Sequence, residues 1–127
     1  MNAKIIIFGE SEKGLFETAY LCHSLWDLSK YLGESPPDSK GIDLAIKSLL
    51  YDYDVVYFRV KNEGFSVEQY FRCLHFLENE KILKNVYALS LPGTGDKSIL
   101  EASRHICNKY KSCLMFNERD LYDFISG

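Results

Sequence analysis

Four short apolar runs, separated by longer segments with helical spacing, are the strongest constraint on the fold of this 127-residue chain. They cover residues 4–8, 54–60, 86–91 and 113–116. The runs do not alternate apolar with polar residues, which is typical of strands buried on both faces. Strands that alternate with helices pair in parallel through right-handed crossovers. The pattern predicts an α/β fold, a three-layer sandwich of Rossmann or flavodoxin type, with four parallel strands in the order 2-1-3-4.

Five segments have the spacing or the start signals of helices. Apolar residues recur at steps of three and four from residue 15 to residue 32, and Gly33 is expected to end that helix. Ser66 with Gln69 forms a capping-box pattern. Side chains suited to begin the other helices are Asp38, Asp96 and Asn117 with Asp120. The last helix would carry Leu121, Phe124 and Ile125.

Composition and charge limit the class of protein. The chain has the length of one domain, and 46% hydrophobic with 26% charged residues is an ordinary globular mixture. Fifteen basic and eighteen acidic residues give a net charge of −3, which argues against a nucleic-acid-binding protein. No apolar run approaches the roughly 20 residues that cross a bilayer, so no membrane span is expected.

Cysteine usage indicates a reducing compartment. The four cysteines lack the paired short spacing of zinc ligands, so we expect neither a metal site nor a disulfide framework. Buried free thiols behave as small apolar groups and are common in the cytoplasm, where we expect the protein to reside. No motif identifies a cofactor. The cysteines are Cys22, Cys73, Cys107 and Cys113.

A ligand site is expected beyond the carboxyl ends of the strands. In open α/β sheets, ligands occupy the crevice there because loop amides and helix amino termini point into it. Four polar segments follow the predicted strands, and in the predicted order the first and third flank the crevice. The segments cover residues 9–14, 59–64, 92–96 and 117–120.

The first segment has the context of a phosphate-binding turn. Gly9, Glu10, Ser11, Lys13 and Gly14 follow a strand and open a predicted helix. The amides with Ser11 and Lys13 would bind the phosphate of a nucleotide or another phosphorylated small molecule. The segment lacks the middle glycine of the dinucleotide fingerprint and the Gly-Lys-Ser/Thr of a P-loop. A tight turn that uses the conformational freedom of glycine is the alternative.

The third segment is the second candidate for the site. Pro92, Gly93, Thr94, Gly95 and Asp96 place two glycines around a threonine, so that backbone amides could approach an oxyanion. Asp96 is either the cap of the next helix or a general acid or base. Turn and cap duty alone is the other interpretation.

The third segment also resembles a known motif. The motif is Pro-Gly-Gly-x-Gly-Thr-x-x-Glu of the LOG-type nucleoside-monophosphate phosphoribohydrolases, Rossmann-like enzymes that cleave the base from a nucleotide. Pro92 and Gly93 match in register, whereas Thr94 and Asp96 replace glycines and Glu101 comes one residue late for the catalytic acid. The resemblance covers about ten residues and implies a nucleotide ligand.

Arg59 stands out among the Val, Tyr and Phe residues of its predicted strand. A buried guanidinium needs a partner, and at the carboxyl end of a strand it could bind phosphate or carboxylate through two hydrogen bonds. A structural ion pair with Glu10, Glu63 or Asp96 is the alternative.

Aromatic residues around the second predicted strand suggest an interface. Tyr51, Tyr53 and Tyr57 would line a homodimer contact if that strand is an edge of the sheet. The alternative is that the Pro36-Pro37 loop and the helix that follows cover this strand. The three histidines fall on different predicted helices and form no local site.

Two functions are therefore expected from the sequence. In the first, the domain binds a nucleotide or phosphorylated small molecule, with Glu10 or Asp96 as the acid or base if the protein is a hydrolytic or glycosyl-transfer enzyme. In the second, it is a non-catalytic α/β module whose polar loops or aromatic edge bind another protein.

Overall fold

The secondary structure is that of an alternating α/β chain with one additional strand. The computed structural model describes residues 2–116 and 119–122. Its strands are β1 (Lys4–Gly9), β2 (Ala19–Cys22), β3 (Asp54–Arg59), β4 (Val86–Ser90) and β5 (Cys113–Met115). Its helices are α1 (Leu25–Leu32), α2 (Gly41–Leu50), α3 (Val67–Asn79) and α4 (Lys97–Tyr110). Residues 119–122 are helical. The predicted start at Asn117 and the predicted contacts of Phe124 and Ile125 lie outside the described residues.

The five strands form one mixed sheet in the order β2-β3-β1-β4-β5. β1 pairs in parallel with β3 and β4, β4 pairs in parallel with β5, and β2 runs antiparallel to β3. The α/β class is confirmed. The predicted sheet of four parallel strands in the order 2-1-3-4 lacks β2, which runs antiparallel at the edge of β3 and makes the sheet mixed and five-stranded.

Helices cover both faces of the sheet, which explains why the central strand is apolar at every position from Ile5 to Phe8. Ile5 and Ile7 pack in a core with α1 and α2. Ile6 and Phe8 pack in a second core with α3 and α4. All four side chains are fully buried, and each contributes roughly 1.5–3 kcal/mol of hydrophobic free energy.

The predicted helix from residue 15 to residue 32 is wrong in its first half. Residues 19–22 form β2 instead, and the helix begins at Leu25, where Ser24 accepts a hydrogen bond from the backbone N–H of Asp27. Along β2 the burial alternates, since Cys22 is buried and Leu21 is exposed. Pairing with the open edge of β3 has overridden the helical spacing. The predicted end at Gly33, with φ of 74°, is confirmed.

Two polar contacts fasten the ends of β2. Before the strand, the carboxylate of Glu17 accepts hydrogen bonds from Arg72 and Gln69 of α3. The hydrogen bond from Arg72 holds the pKa of Glu17 below its usual value. After the strand, Nδ1 of His23 lies 2.9 Å from the buried carboxylate of Asp54. The additional strand is therefore anchored to both α3 and β3.

β3 is an internal strand because β2 covers it. Tyr57 is fully buried there. The condition for a homodimer contact at this strand, that it forms an edge, is therefore not met. Tyr51 is exposed and Tyr53 is half-buried, and both precede the strand.

Helix caps also differ in part from the predicted ones. Asp96 caps α4 as predicted, by accepting a hydrogen bond from the backbone N–H of Ile99. The capping box of α3 does not form, because the side chain of Gln69 accepts from the N–H of Lys61 and Ser66 bonds to Asn62. α2 begins at Gly41, three residues after the predicted cap Asp38.

All four cysteines are free. Burial raises the pKa of Cys22 and of Cys73 to about 12, so both thiols stay protonated and behave as apolar groups. Cys107 is also buried, and Cys113 is exposed. Within residues 2–116 and 119–122, no helix combines the length and the apolar character needed to cross a bilayer.

Two buried tyrosines predict a loss of stability at alkaline pH. Burial raises the pKa of Tyr70 to about 12 and that of Tyr57 well above its ordinary value. A raised folded-state pKa means that the stabilisation is complete below an unfolded pKa of about 10 and is lost as the pH rises beyond it. We expect the free energy of unfolding, measured with urea, to fall steeply between about pH 10 and 12.

Tyr70→Phe removes one of these groups and should make the alkaline fall less steep. Its stability at neutral pH should drop by about 1 kcal/mol, because the N–H of Gly64 loses its hydrogen-bond acceptor. Tyr51→Phe, at an exposed tyrosine, is the matched control and should leave the slope unchanged. Equal slopes for all three proteins would contradict the prediction.

Candidate functional site

Loops after three neighbouring strands enclose a cavity of about 550 Å³ at the carboxyl edge of the sheet. Glu10 follows β1, Glu63 follows β3, and Pro92 and Gly93 follow β4. The segment before α2, residues 37–40, closes the remaining side. We call this cavity the carboxyl-edge crevice. It lies where the α/β rule expects a ligand, next to the exits of the adjacent strands β1 and β4.

The carboxylate of Glu63 occupies the amino terminus of α2. Its Oε1 accepts hydrogen bonds from the N–H of Glu10 at 3.0 Å, the hydroxyl of Ser39 at 2.9 Å and the N–H of Gly41 at 3.0 Å. Its Oε2 accepts from the N–H of Lys40 at 2.7 Å. Free helix amides attract anions, and here the chain supplies the anion itself.

A second hydrogen bond joins Glu10 and Glu63, with Glu63 as the donor. The carboxylate of Glu10 accepts a hydrogen bond from the N–H of Glu63 at 2.9 Å, and its carbonyl accepts one from the hydroxyl of Tyr57 at 2.6 Å. Together with the hydrogen bond from the N–H of Glu10 to Glu63, these contacts fix Glu10 between β1 and β3. Its role as a general acid or base remains a prediction.

Gly9 and Gly41 bring β1 and α2 into direct contact. A Cβ on either glycine would lie 2.9 Å from the Cα of the other and would also collide with the hydroxyl of Tyr57. Neither glycine has a positive φ. Gly9, predicted to be either a ligand-binding or a turn residue, is thus required for the close packing that places Glu63 on the helix.

Ser11, Lys13 and Gly14 lie away from the crevice. The hydroxyl of Ser11 is buried and donates to the carbonyl of Lys13 at 2.8 Å. The N–H of Lys13 donates to the carbonyl of Leu32 at the end of α1, and Gly14 has a φ of 106°. None of the three lines the crevice. The loop they form packs against α1, and binding of an anion there remains a prediction.

Arg59 faces the same loop. Its Nη1 donates to the carbonyl of Gly14 at 2.6 Å, and its guanidinium lies 4.3 Å from the centre of the Phe16 ring. In the part of the chain that the structure describes, Arg59 forms no ion pair with Glu10, Glu63 or Asp96. The alternative of a structural ion pair is therefore wrong, and the partners of this cation are a carbonyl and an aromatic ring. Binding of an anion by Arg59 remains a prediction.

The segment after β4 is divided between the crevice and α4. Pro92 and Gly93 line the crevice, and Gly93 has a φ of 72°. The N–H of Thr94 donates to the carbonyl of Leu91, and Gly95 is exposed. Asp96 accepts hydrogen bonds from the hydroxyl of Ser98 and the N–H of Ile99, which lower its pKa. The structure thus supports its cap role, whereas its use as an acid or base remains untested.

Sequence reasoning missed the residues that give the crevice its character. Glu63 is predicted only as a member of the polar segment 59–64 and as an alternative ion-pair partner of Arg59. Neither Lys40 nor Phe65, whose side chain is 79% exposed, is predicted for the site. Residues 61–64 have ordinary turn chemistry, so nothing local indicated that the carboxylate of Glu63 reaches another helix. Among the described residues of the lining are three carboxylates and one ammonium group, those of Glu10, Asp38, Glu63 and Lys40. An incoming cation is therefore favoured over a phosphate.

The fold and the crevice define an α/β protein with a five-strand, mostly parallel sheet and an internally capped helix amino terminus. Comparison with models of protein families, with curated proteins and with solved structures found no match. The resemblance of Pro92 and Gly93 to the phosphoribohydrolase motif thus has no support from a family match. Glu101, which stands one residue from the place of the catalytic acid, is exposed on α4.

Removing the Glu63 carboxylate should destabilise the protein. Glu63→Ala leaves four donors without their acceptor, and we expect the free energy of unfolding to fall by about 2–3 kcal/mol. Acetate, which can occupy the vacated place, should restore part of the loss in urea melts. Glu68→Ala, at an exposed glutamate of α3, should change the stability by less than about 0.5 kcal/mol. A Glu63→Ala protein as stable as that control would contradict the cap.

The glycine contact gives a second prediction. Alanine normally suits a helix better than glycine, yet Gly41→Ala should cost about 2–3 kcal/mol, because its Cβ meets the backbone of Gly9. Gly95→Ala is the matched control, since a Cβ there meets nothing within 4 Å. Thermal and urea melts of the two variants compare them directly. Similar stabilities would show that β1 and α2 do not require this contact.

Proposed function

We propose that this protein is a non-catalytic interaction module whose carboxyl-edge crevice binds a basic segment of another protein. The observation that carries the proposal is the seat of the Glu63 carboxylate on the amino terminus of α2. The amides that bind phosphate in many α/β proteins are here used within the chain. What remains open to a partner is the outer part of the crevice.

The outer part of the crevice suits an Arg or Lys side chain. Glu10, Asp38 and Glu63 supply negative charge, and Phe65 presents an aromatic ring that is 79% exposed. A guanidinium over an exposed aromatic ring gains roughly 0.5–1 kcal/mol, and nearby carboxylates add to that attraction. The net charge of −3 favours the approach of a basic partner.

A nucleotide or other phosphorylated small molecule is the second candidate ligand. The position of the crevice beside the exits of β1 and β4 favours it, and Lys40 lines the crevice. Such a ligand would have to displace the carboxylate of Glu63 or bind outside it, against the charge of Glu10 and Asp38. For this reason we place it second.

The free cysteines support our expectation of a reducing compartment such as the cytoplasm.

Fluorescence anisotropy with labelled peptides tests the interaction module. Peptides with one or two Arg residues should bind, and otherwise identical peptides with Glu in place of Arg should not. Phe65→Ser and Asp38→Lys should each weaken binding about fivefold or more, as expected for the loss of about 1 kcal/mol. Trp26→Ser is the control, because Trp26 is similarly exposed but lies in α1. Binding should also weaken with added salt.

A thermal-shift screen against nucleotides and sugar phosphates tests the second candidate ligand. A ligand present at about 100 times its Kd would add about 2.7 kcal/mol of stability. Stabilisation by a nucleotide that is lost in Lys40→Ala, with no binding of the Arg peptides, would overturn the proposal in favour of the second candidate. Lys13→Ala and Arg59→Ala would then show whether the loop after β1 contributes.

A further inference from the structure

A second cavity, of about 570 Å³, lies near the amino ends of the parallel strands, on the side of the sheet that α3 and α4 cover. β2 contacts mainly β3 and α1, so it extends the sheet beyond the cover of α3. Ala19 and Leu21 of β2 therefore form one wall, and Phe76 and Ile82 stand opposite. We call this cavity the Lys4 groove.

The walls of the Lys4 groove are apolar and exposed. Ile82 is 85% exposed, Phe76 47% and Leu21 41%. Contiguous apolar surface of this kind is uncommon on a monomer and marks a binding surface. The volume lies within the range of cavities that hold small molecules.

Lys4 provides the polar group of the groove. Its side chain projects from β1 into the cavity, yet the residue is only 5% exposed. The ammonium donates one hydrogen bond, to the carbonyl of Lys84 at 3.0 Å, and so has two N–H groups left. Among the described residues, no carboxylate lies within ion-pair distance of it. A buried ammonium without a counter-ion is costly, so an anion there is favoured.

The charges around Lys4 support the same conclusion. Lys84 lines the groove as a second cation. Among the described residues that line the groove, the one acid is Glu80, and its Oε1 already accepts from the N–H groups of Ile82 and Leu83. The hydrogen bond from Ile82 is the largest of the causes that hold the pKa of Glu80 below its usual value. The polar end of the groove therefore carries net positive charge beside an apolar channel.

We propose that the Lys4 groove binds a free aliphatic carboxylate, a fatty acid of medium chain length. The carboxylate accepts hydrogen bonds from the ammonium of Lys4, and the hydrocarbon chain lies against Leu21, Phe76 and Ile82. This ligand supplies both features that the groove lacks, a counter-ion for the buried cation and cover for the apolar walls. Binding is non-covalent and involves no reaction.

Isothermal titration calorimetry with decanoate and with decanol tests the proposal. The two ligands share one hydrocarbon chain and differ in the charged end, and both are kept below the concentrations at which they aggregate. Decanoate should bind about tenfold more tightly than decanol, as expected for a charge-assisted hydrogen bond. In Lys4→Met, which keeps a long apolar side chain, the two affinities should become equal.

The controls distinguish binding in the groove from nonspecific binding to apolar surface. Leu21→Gln alters an exposed wall residue and should weaken decanoate binding about fivefold, whereas Trp26→Gln, equally apolar but outside the groove, should not change it. If Lys4→Met does not fold, two measurements still test the proposal. They are the comparison of decanoate with decanol and the comparison of Leu21→Gln with Trp26→Gln. Absence of decanoate binding, equal affinity for both ligands in the unmodified protein, or equal effects of the two Gln variants would overturn the proposal.

The experiment is independent of the carboxyl-edge crevice. The groove lies at the opposite end of the parallel strands, and the two cavities share none of the residues that the structure describes. Phe65→Ser should therefore leave decanoate binding unchanged. Loss of decanoate binding in Phe65→Ser would assign the ligand to the crevice and overturn the proposal.

Discussion

The contact between the Glu63 carboxylate and the amino terminus of α2 holds the carboxyl edge of the sheet together. It joins the ends of β1 and β3 to the start of a helix that covers one face of both strands. A neutral side chain could satisfy some of these donors, but only an anion also matches the partial positive charge of the helix end. We expect the contact to limit what the edge can bind, because the amides that could receive a phosphate already donate to Glu63. The close approach of Gly9 and Gly41 makes this arrangement sterically feasible.

Much of the fold could be predicted, because the central strands and the helices over them carry local signals. The buried run of β1 and the caps at Asp96 and Gly33 are recognised from neighbouring residues alone. β2 could not be predicted in this way. Its four residues satisfy the spacing of an amphipathic helix, and the reason they form a strand is the open edge of β3, which lies more than thirty residues further along the chain.

A crevice is present where the sequence predicts a ligand site, but its lining differs from the predicted one. The carboxyl ends of β1 and β4 do enclose a crevice, as the general rule for α/β sheets requires. Glu63 and Glu10 are 53 residues apart, and their mutual hydrogen bonds depend on the register of β1 against β3. No local motif contains that information. The same holds for Arg59. Its partners Gly14 and Phe16 belong to a loop more than forty residues earlier in the chain, so the sequence around Arg59 gives no sign of them.

The polar contacts at both ends of β2 also bear on the free energy with which the Lys4 groove would bind a ligand. Glu17 ties the chain before the strand to α3, and His23 ties the chain after it to Asp54. We expect these anchors to restrain fraying of the edge strand, so that one wall of the Lys4 groove is formed before a ligand binds. A ligand of the kind proposed would then order little additional backbone, and its binding would cost little backbone conformational entropy.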